Sequence, residues 1–150
     1  MAIGLLWLLD AGLQAQAHFF TSDWWRNDLA ESVMGQPAVV SRSILWATGV
    51  LSAHAGLANG LAVVTQAGIG LCLAIGRFER AAIAASVPWA LAVWGVGEGL
   101  GGLPTGFAQL AGGAPGPVLF YPLIAVLAWP RRSTGGDGRE QAVSTAAAGV

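Results

Sequence analysis

The chain has 150 residues, of which 55% are hydrophobic and only 10% are charged, against about 25% charged in an ordinary soluble domain. Its 7 basic and 8 acidic side chains give a net charge of -1, which excludes the basic surface of a nucleic-acid-binding protein. High hydrophobicity excludes a disordered chain, and the single cysteine, Cys72, excludes a disulfide framework. The composition predicts an integral membrane protein.

Charged residues divide the chain into apolar stretches, and a spanning helix needs about 20 mostly apolar residues. Residues 43–76 contain no charge, and residues 81–130 contain only Glu98. We therefore expect an all-α fold, an integral membrane four-helix bundle within residues 1–132, with spans at about 3–20, 57–76, 81–99 and 117–130. Residues 133–150, rich in Gly, Ser, Thr and Ala, are predicted to form a disordered tail.

Basic residues predict the orientation of these spans. Arg77 and Arg80 lie in the turn between the second and third spans, and Arg131 and Arg132 follow the fourth. Four spans place both pairs on one side, which the positive-inside rule makes cytoplasmic together with both termini. A cleaved signal peptide ending at residues 15–17 is the alternative for the first span.

Residues 22–53 are predicted to form an extra amphipathic segment on the outer side. Trp24 and Trp25 suit the aromatic belt of a short surface helix that Gly35 ends. Residues 38–53 form a second apolar stretch, either an interfacial or re-entrant helix or a fifth span. We expect the chain to break between this stretch and the second span at Gly56 or at the pair Asn59-Gly60.

The positions of glycine and proline predict how the spans pack and where one of them bends. Glycine pairs at four-residue spacing (56/60, 95/99 and 97/101) predict close helix packing or self-association. Pro88 predicts a kink, with Ser86 available to satisfy the freed backbone. Residues 97–102 match G-x-G-x-x-G, but without a strand before them and a helix after them they do not predict nucleotide binding.

Polar side chains within the apolar stretches are the candidate functional residues, because ionisable groups in a bilayer are costly. Residues 10, 14 and 18 recur every four positions on one face of the first predicted helix. Counting the helical rise puts residue 66 near the level of residue 10, and residue 98 near that of residue 18. The predicted polar column comprises Asp10, Gln14, His18, Gln66 and Glu98.

Two plainer interpretations of this column remain open. Asp10 could hydrogen-bond Gln14 or Gln66 and simply hold helices together, and His18 with Glu98 could form an interfacial pair. The sequence shows no catalytic triad, metal-ligand motif or phosphate loop, so a non-catalytic subunit is favoured over an independent enzyme.

Several segments resemble the DoxX-like family of small bacterial integral membrane proteins. An acid and an amide occur in the first span, within Leu8–Gln14, and a long amphipathic outer segment follows. The second span ends in the glycine-rich stretch Gln66–Gly76 and runs into Arg77–Arg80, which is similar to the family's basic and aromatic helix ending. The resemblance covers roughly residues 3–130.

The resemblance implies a multi-pass protein of the bacterial plasma membrane. It also implies an accessory subunit of a quinone-linked oxidoreductase, with quinone as the possible ligand and other membrane subunits as partners. Three alternatives stay open. They are a purely structural or assembly subunit, a copper or haem site using His18, His54 and Met34, and a small transporter or proton path through Asp10.

Overall fold

The computed structural model describes residues 2–100, Leu103 and residues 117–129, and these ranges contain no β-strand. The helices are α1 (Ala2–Gln14), α2 (Ser22–Glu31), α3 (Ala38–Ala53), α4 (Ala55–Ile75), α5 (Glu79–Ala92) and α6 (Phe120–Leu127). Short 3-10 turns cover Ala17–Phe20 and Pro117–Leu119, and a π-helical turn at Val93–Gly97 continues α5. The all-α prediction is confirmed for the described residues. The predicted tail, residues 133–150, lies outside them.

The first helix is shorter than predicted. The predicted helix over residues 3–20 is interrupted, because α1 ends at Gln14 and Gln16 has extended backbone angles (φ −69°, ψ 143°). Contacts made after the break favour it: the Trp25 indole N–H donates to the Phe19 carbonyl at 3.1 Å, and Phe19 packs edge-on against Trp24. Helical periodicity carries no information about such contacts, so the sequence pattern did not show the break.

The break before α4 also differs from the prediction. It falls at His54 (φ −129°, ψ 38°), whereas Gly56, Asn59 and Gly60 all lie inside the helix. Asn59 is fully buried and exchanges two hydrogen bonds with Gln14 of α1. These bonds compensate for the weak helix propensity of asparagine.

The third predicted span is one apolar helix with a changed hydrogen-bonding pattern near its end. Pro88 lies inside α5, and the π-helical turn begins five residues later. The Ser86 hydroxyl donates to the Ile83 carbonyl at 2.8 Å rather than to the Ala84 carbonyl that the proline leaves without its usual donor. The backbone widening after Pro88 shapes the wall of the cavity described below.

Helices α1 and α4 pack closely and antiparallel. Near the start of α1, a Cβ added to Gly4 would lie 2.4 Å from the Ala74 nitrogen, and one added to Gly70 would lie 2.9 Å from the Gly4 carbonyl oxygen. At the other end of the pair, Gln14 meets Asn59. Backbone approach therefore requires glycine at positions 4 and 70.

Three glycines of the predicted pairs do not pack in this way, and a fourth, at position 101, lies outside the described residues. A Cβ added to Gly56, Gly60 or Gly95 meets nothing within 4 Å in the described part of the chain, so the prediction of close packing at these three positions is wrong. Gly99 (φ +53°) does require glycine, because a Cβ would lie 2.8 Å from the Ser32 carbonyl oxygen. Helical spacing of small residues does not reveal which face meets a neighbour.

A small apolar core joins α1, α4, α5 and α6. Its buried members are Trp7, Ile69, Leu73, Ala82, Ile83 and Ala125. Trp7 is fully buried and meets Tyr121 edge-on, with ring centroids 5.4 Å apart. By length and composition, two described helices could cross a membrane: Ala55–Ile75 and Glu79–Gly97, whereas the apolar helices Ala2–Gln14 and Ala38–Ala53 are shorter.

Candidate functional site

A cavity of about 410 Å³ lies among α1, α2, α3, α4 and the α5 helix with its π-helical turn. Its volume is within the range of small-molecule sites, roughly 300–1,000 Å³. Four tryptophans from three helices line it: Trp24, Trp25, Trp46 and Trp89. Aliphatic side chains and backbone of α3, α4 and α5 complete a largely apolar wall.

The cavity has two chemically different ends. Along α4 the lining runs from Ala58 to Gln66, eight residues or about 12 Å of helix. Because α5 runs antiparallel across the turn at residues 76–78, Trp89 is level with Gln66, and Gly97 is level with Ala58. Helix α2 contacts the turn at residues 93–97, so its lining residues lie at the same end of the cavity as Gly97. We call the end that holds Gln66 and Trp89 the Gln66 end. We call the end that holds Trp24, Trp25 and Asp28 the Asp28 end.

At the Gln66 end, two buried polar atoms have no hydrogen-bond partner in the described part of the chain. They are the Gln66 Oε1 acceptor and the Trp89 Nε1 donor. Leaving a buried donor or acceptor unpaired costs about 1–3 kcal/mol. Both residues line the cavity, so a ligand that offers an acceptor to Trp89 and a donor to Gln66 would satisfy both atoms once these side chains turn toward it.

The Asp28 end has walls held by aromatic contacts. Trp24 and Trp25 pack edge-on, with ring centroids 5.2 Å apart, and Trp24 packs edge-on against Phe19 at 4.6 Å. The indole N–H of Trp25 is fixed on the Phe19 carbonyl. The Asp28 side chain is exposed, yet partial desolvation of its carboxyl raises the pKa, Glu31 raises this pKa further, and the nearby His18 opposes the shift.

The structure separates the five predicted site residues. Gln14 and Gln66 line the cavity. Asp10 accepts a hydrogen bond from the Tyr121 hydroxyl on α6, and the Glu98 carboxyl accepts one from the Val118 backbone N–H. His18 is exposed, with its ring 4.0 Å from that of Phe19, because α1 ends before it and the four-residue spacing no longer applies.

Sequence reasoning missed three residues at or beside the cavity. Asn59 was treated as a helix breaker, although an amide in an uncharged apolar helix needs a partner just as Gln66 does. The sequence does not distinguish Trp89 from an ordinary packing residue, and it does pack against the core while its indole nitrogen has no hydrogen-bond partner among the described residues. Asp28 is one of several charged residues on α2, and no sequence signal points to its place at the cavity.

The structure also shows where the residues of the copper or haem alternative lie. Within residues 2–100 and 117–129, no three His, Cys, Asp or Glu side chains are close enough to share a metal ion. His54 is exposed at the end of α3, with Nδ1 3.2 Å from the Val50 carbonyl oxygen, and Met34 is exposed as well.

Comparison with known proteins gave no match to a family model, a curated protein or a solved structure.

Proposed function

We propose that this chain is a multi-pass membrane protein whose tryptophan-lined cavity binds a quinone headgroup, and that it serves as an accessory subunit of a quinone-linked oxidoreductase. The observation that carries the proposal is that Gln66 and Trp89, which both line a largely apolar cavity, each hold a buried polar atom without a hydrogen-bond partner among the described residues. The resemblance to DoxX-like proteins supports the link to quinone chemistry.

Surface composition supports the membrane setting. Only 28% of the apolar window in Ala55–Ile75 and 22% of that in Glu79–Gly97 is buried inside the protein, unlike the core helix of a soluble protein. Leu57 is 77% exposed and Val64 70% exposed on α4. In lipid these side chains would face acyl chains, and such extensive apolar exposure marks a membrane or protein interface.

The helix arrangement supports a four-helix membrane bundle. Helix α1 packs antiparallel to α4, so its start lies at the same end as the turn that carries Arg77 and Arg80. Placing these arginines in the cytoplasm gives a cytoplasmic N-terminus and puts α2 on the outer side. Helices α1 and α6 are shorter than a full span, so they must be extended by the adjoining 3-10 turns or accommodated by local thinning of the bilayer.

The cavity chemistry fits a quinone in both of its stable forms. A quinone carbonyl can accept a hydrogen bond from the Trp89 N–H, and a hydroquinone hydroxyl can donate to Gln66 Oε1. The planar ring would lie against indole rings, which pair well with other aromatic groups. A bound quinone supplies two-electron, two-proton redox chemistry, and Gln66 and Trp89 bind and orient its headgroup.

Quinone binding by the purified protein tests the proposal. The protein is prepared in mild detergent, and its bound small molecules are identified by mass spectrometry. A short-chain quinone is then titrated into wild type, Gln66→Leu and Gln16→Leu, the last being an exposed glutamine outside the cavity. We expect Gln66→Leu alone to weaken binding about tenfold, as loss of a hydrogen bond in a desolvated site does. Equal affinity in all three proteins would refute the proposed site.

A second candidate function, a structural or assembly subunit, is favoured by a different observation. Gly56 and Gly60 lie one turn apart on α4, and a Cβ at either position would meet no other described part of the chain within 4 Å. Such a face allows close approach of a helix from another membrane subunit. Gly60→Leu should then abolish copurification of a partner that Gly12→Leu, at another open glycine, retains. Retention by both variants would count against this role.

A further inference from the structure

We infer that the Asp28 end of the cavity binds a hydrophobic organic cation, such as a quaternary ammonium or a protonated arylamine. Its charge would lie among the faces of Trp24, Trp25 and Trp46 and beside the Asp28 carboxylate. This goes beyond the proposed quinone site, because it uses the opposite end of the cavity and a different kind of ligand recognition.

Aromatic composition is the first argument. Three tryptophans, two on α2 and one on α3, converge on the Asp28 end or on the adjoining α3 wall. The indole face attracts a cation within about 6 Å of the ring centroid more strongly than any other aromatic side chain, and cages of such rings recognise quaternary ammonium groups. Trp46 is 74% exposed, so this ring lies at the edge of the cavity.

Charge is the second argument. Among the described side chains that line the cavity, Asp28 is the one acidic group, and none of them is a lysine, arginine or histidine. The Glu31 carboxyl lies near Asp28 and adds negative charge, whereas His18 is the basic group that lies near Asp28 outside the lining. A carboxylate without a basic residue beside it in the described lining favours a cationic ligand and repels an anion.

Preorganisation is the third argument. Trp25 is held by its hydrogen bond to the Phe19 carbonyl, and Trp24 is held edge-on between Phe19 and Trp25. Ligand binding therefore requires little further ordering of these side chains, which reduces the entropic cost of binding. A neutral quinone carries no positive charge to pair with the carboxylate, so the two ends of the cavity select different ligands.

The test is a calorimetric titration of benzyltrimethylammonium into the full-length protein in mild detergent, which measures the Kd. The matched pair of variants is Asp28→Asn and Asp23→Asn, because both acids are exposed on α2 and only Asp28 lines the cavity. We expect Asp28→Asn to raise Kd about tenfold or more, as loss of a charge-assisted contact does, and Asp23→Asn to leave Kd unchanged.

A second matched pair tests the aromatic contribution. Trp46→Leu should raise Kd about fivefold, within the range measured for cation–π contacts, whereas Trp129→Leu, at an exposed tryptophan outside the lining, should not. Circular dichroism of each variant confirms that the helices persist. Unchanged affinity in Asp28→Asn, or an equal loss in Asp23→Asn, would overturn the inference.

Quinone titration of the same proteins separates this inference from the proposed function. Asp28→Asn should keep wild-type quinone affinity, and Gln66→Leu should keep wild-type cation affinity. If the cation binds as described and quinone does not, the proposed function alone fails. If quinone binds and the cation does not, this inference alone fails.

Discussion

Asn59 links the two most closely packed helices of the protein. It is fully buried on α4, its side-chain amide donates to the Gln14 carbonyl at 2.9 Å, and its side-chain oxygen accepts from Gln14 Nε2. The pair thereby satisfies a backbone carbonyl at the end of α1, where intrahelical donors run out. The same contact orients Gln14 at the cavity wall.

Removing this amide should destabilise the protein. Asn59→Ala leaves both Gln14 groups without their partners and opens a small void, so we expect the free energy of unfolding to fall by about 1–3 kcal/mol. Denaturation in mixed detergent micelles, followed by circular dichroism, measures the change. Asn27→Ala, at an exposed asparagine on α2, is the control and should change stability by less than about 0.5 kcal/mol. Equal effects of the two substitutions would show that the Gln14–Asn59 pair has no special role.

Asp28 should give the stability a defined pH dependence. Its pKa in the folded protein is raised by burial and by Glu31, and His18 opposes this, so the folded state binds the proton more tightly than the unfolded state does. The contribution of Asp28 is therefore most favourable below the unfolded value of about 3.9, and it is lost as pH rises through the folded pKa. Asparagine does not ionise, so the melting temperature of Asp28→Asn relative to wild type should increase between about pH 3.5 and pH 7. A difference that stays constant over this interval would contradict the raised pKa.

At the scale of helices, packing decides where the elements end and which glycines matter. Apolar composition predicted the helical stretches well, because a long uncharged run has few alternatives to helix in a membrane. The end of α1 at Gln14 and the break at His54 depend on contacts with distant residues, as Phe19 with Trp24 and Gln14 with Asn59 show. The same reason explains why Gly4 and Gly70, rather than the spaced glycine pairs, lie at the close contact.

Two glycines of α4 provide a matched test of this packing. A Cβ at Gly70 would lie 2.9 Å from the Gly4 carbonyl oxygen and from the Leu8 nitrogen, whereas one at Gly68 meets nothing within 4 Å. Gly70→Ala should therefore lower the free energy of unfolding by about 1–3 kcal/mol through overpacking. Gly68→Ala should raise it by about 0.5–1 kcal/mol through helix propensity. The prediction fails if the two variants change stability in the same direction.

At the scale of the whole molecule, the helices place a largely apolar cavity beside surfaces that are themselves apolar. Gln14 and Gln66 were predictable candidates, because amides in uncharged helices stand out in the sequence. Their common cavity was not predictable, since it depends on α2 and α3 folding against α4 and α5 and bringing Trp24, Trp25 and Trp46 there. Of the predicted column, Gln14 and Gln66 line this cavity, whereas Asp10 accepts a hydrogen bond from Tyr121.

Site-directed labelling tests the proposed orientation of the protein in the membrane. In a Cys72→Ser background, cysteine is introduced at Asn27 on α2 or at Phe78 in the turn after α4, both of which are exposed. A membrane-impermeant maleimide applied to intact cells should label Asn27→Cys, and it should label Phe78→Cys only after the membrane is permeabilised. Labelling of Phe78→Cys in intact cells would place the arginine-bearing turn outside, contrary to the positive-inside rule.

Photolabelling with an azidoquinone tests the central claim, that the Gln66 end of the cavity binds a quinone headgroup. After irradiation of the purified wild-type protein, tandem mass spectrometry locates the modified residues, and excess short-chain quinone serves as the competitor. We predict labels on α4 around Gln66 and on α5 around Trp89, both suppressed by the competitor and lost in Gln66→Leu. Labels confined to the exposed apolar residues of α4 or to α6, and insensitive to the competitor, would contradict the account.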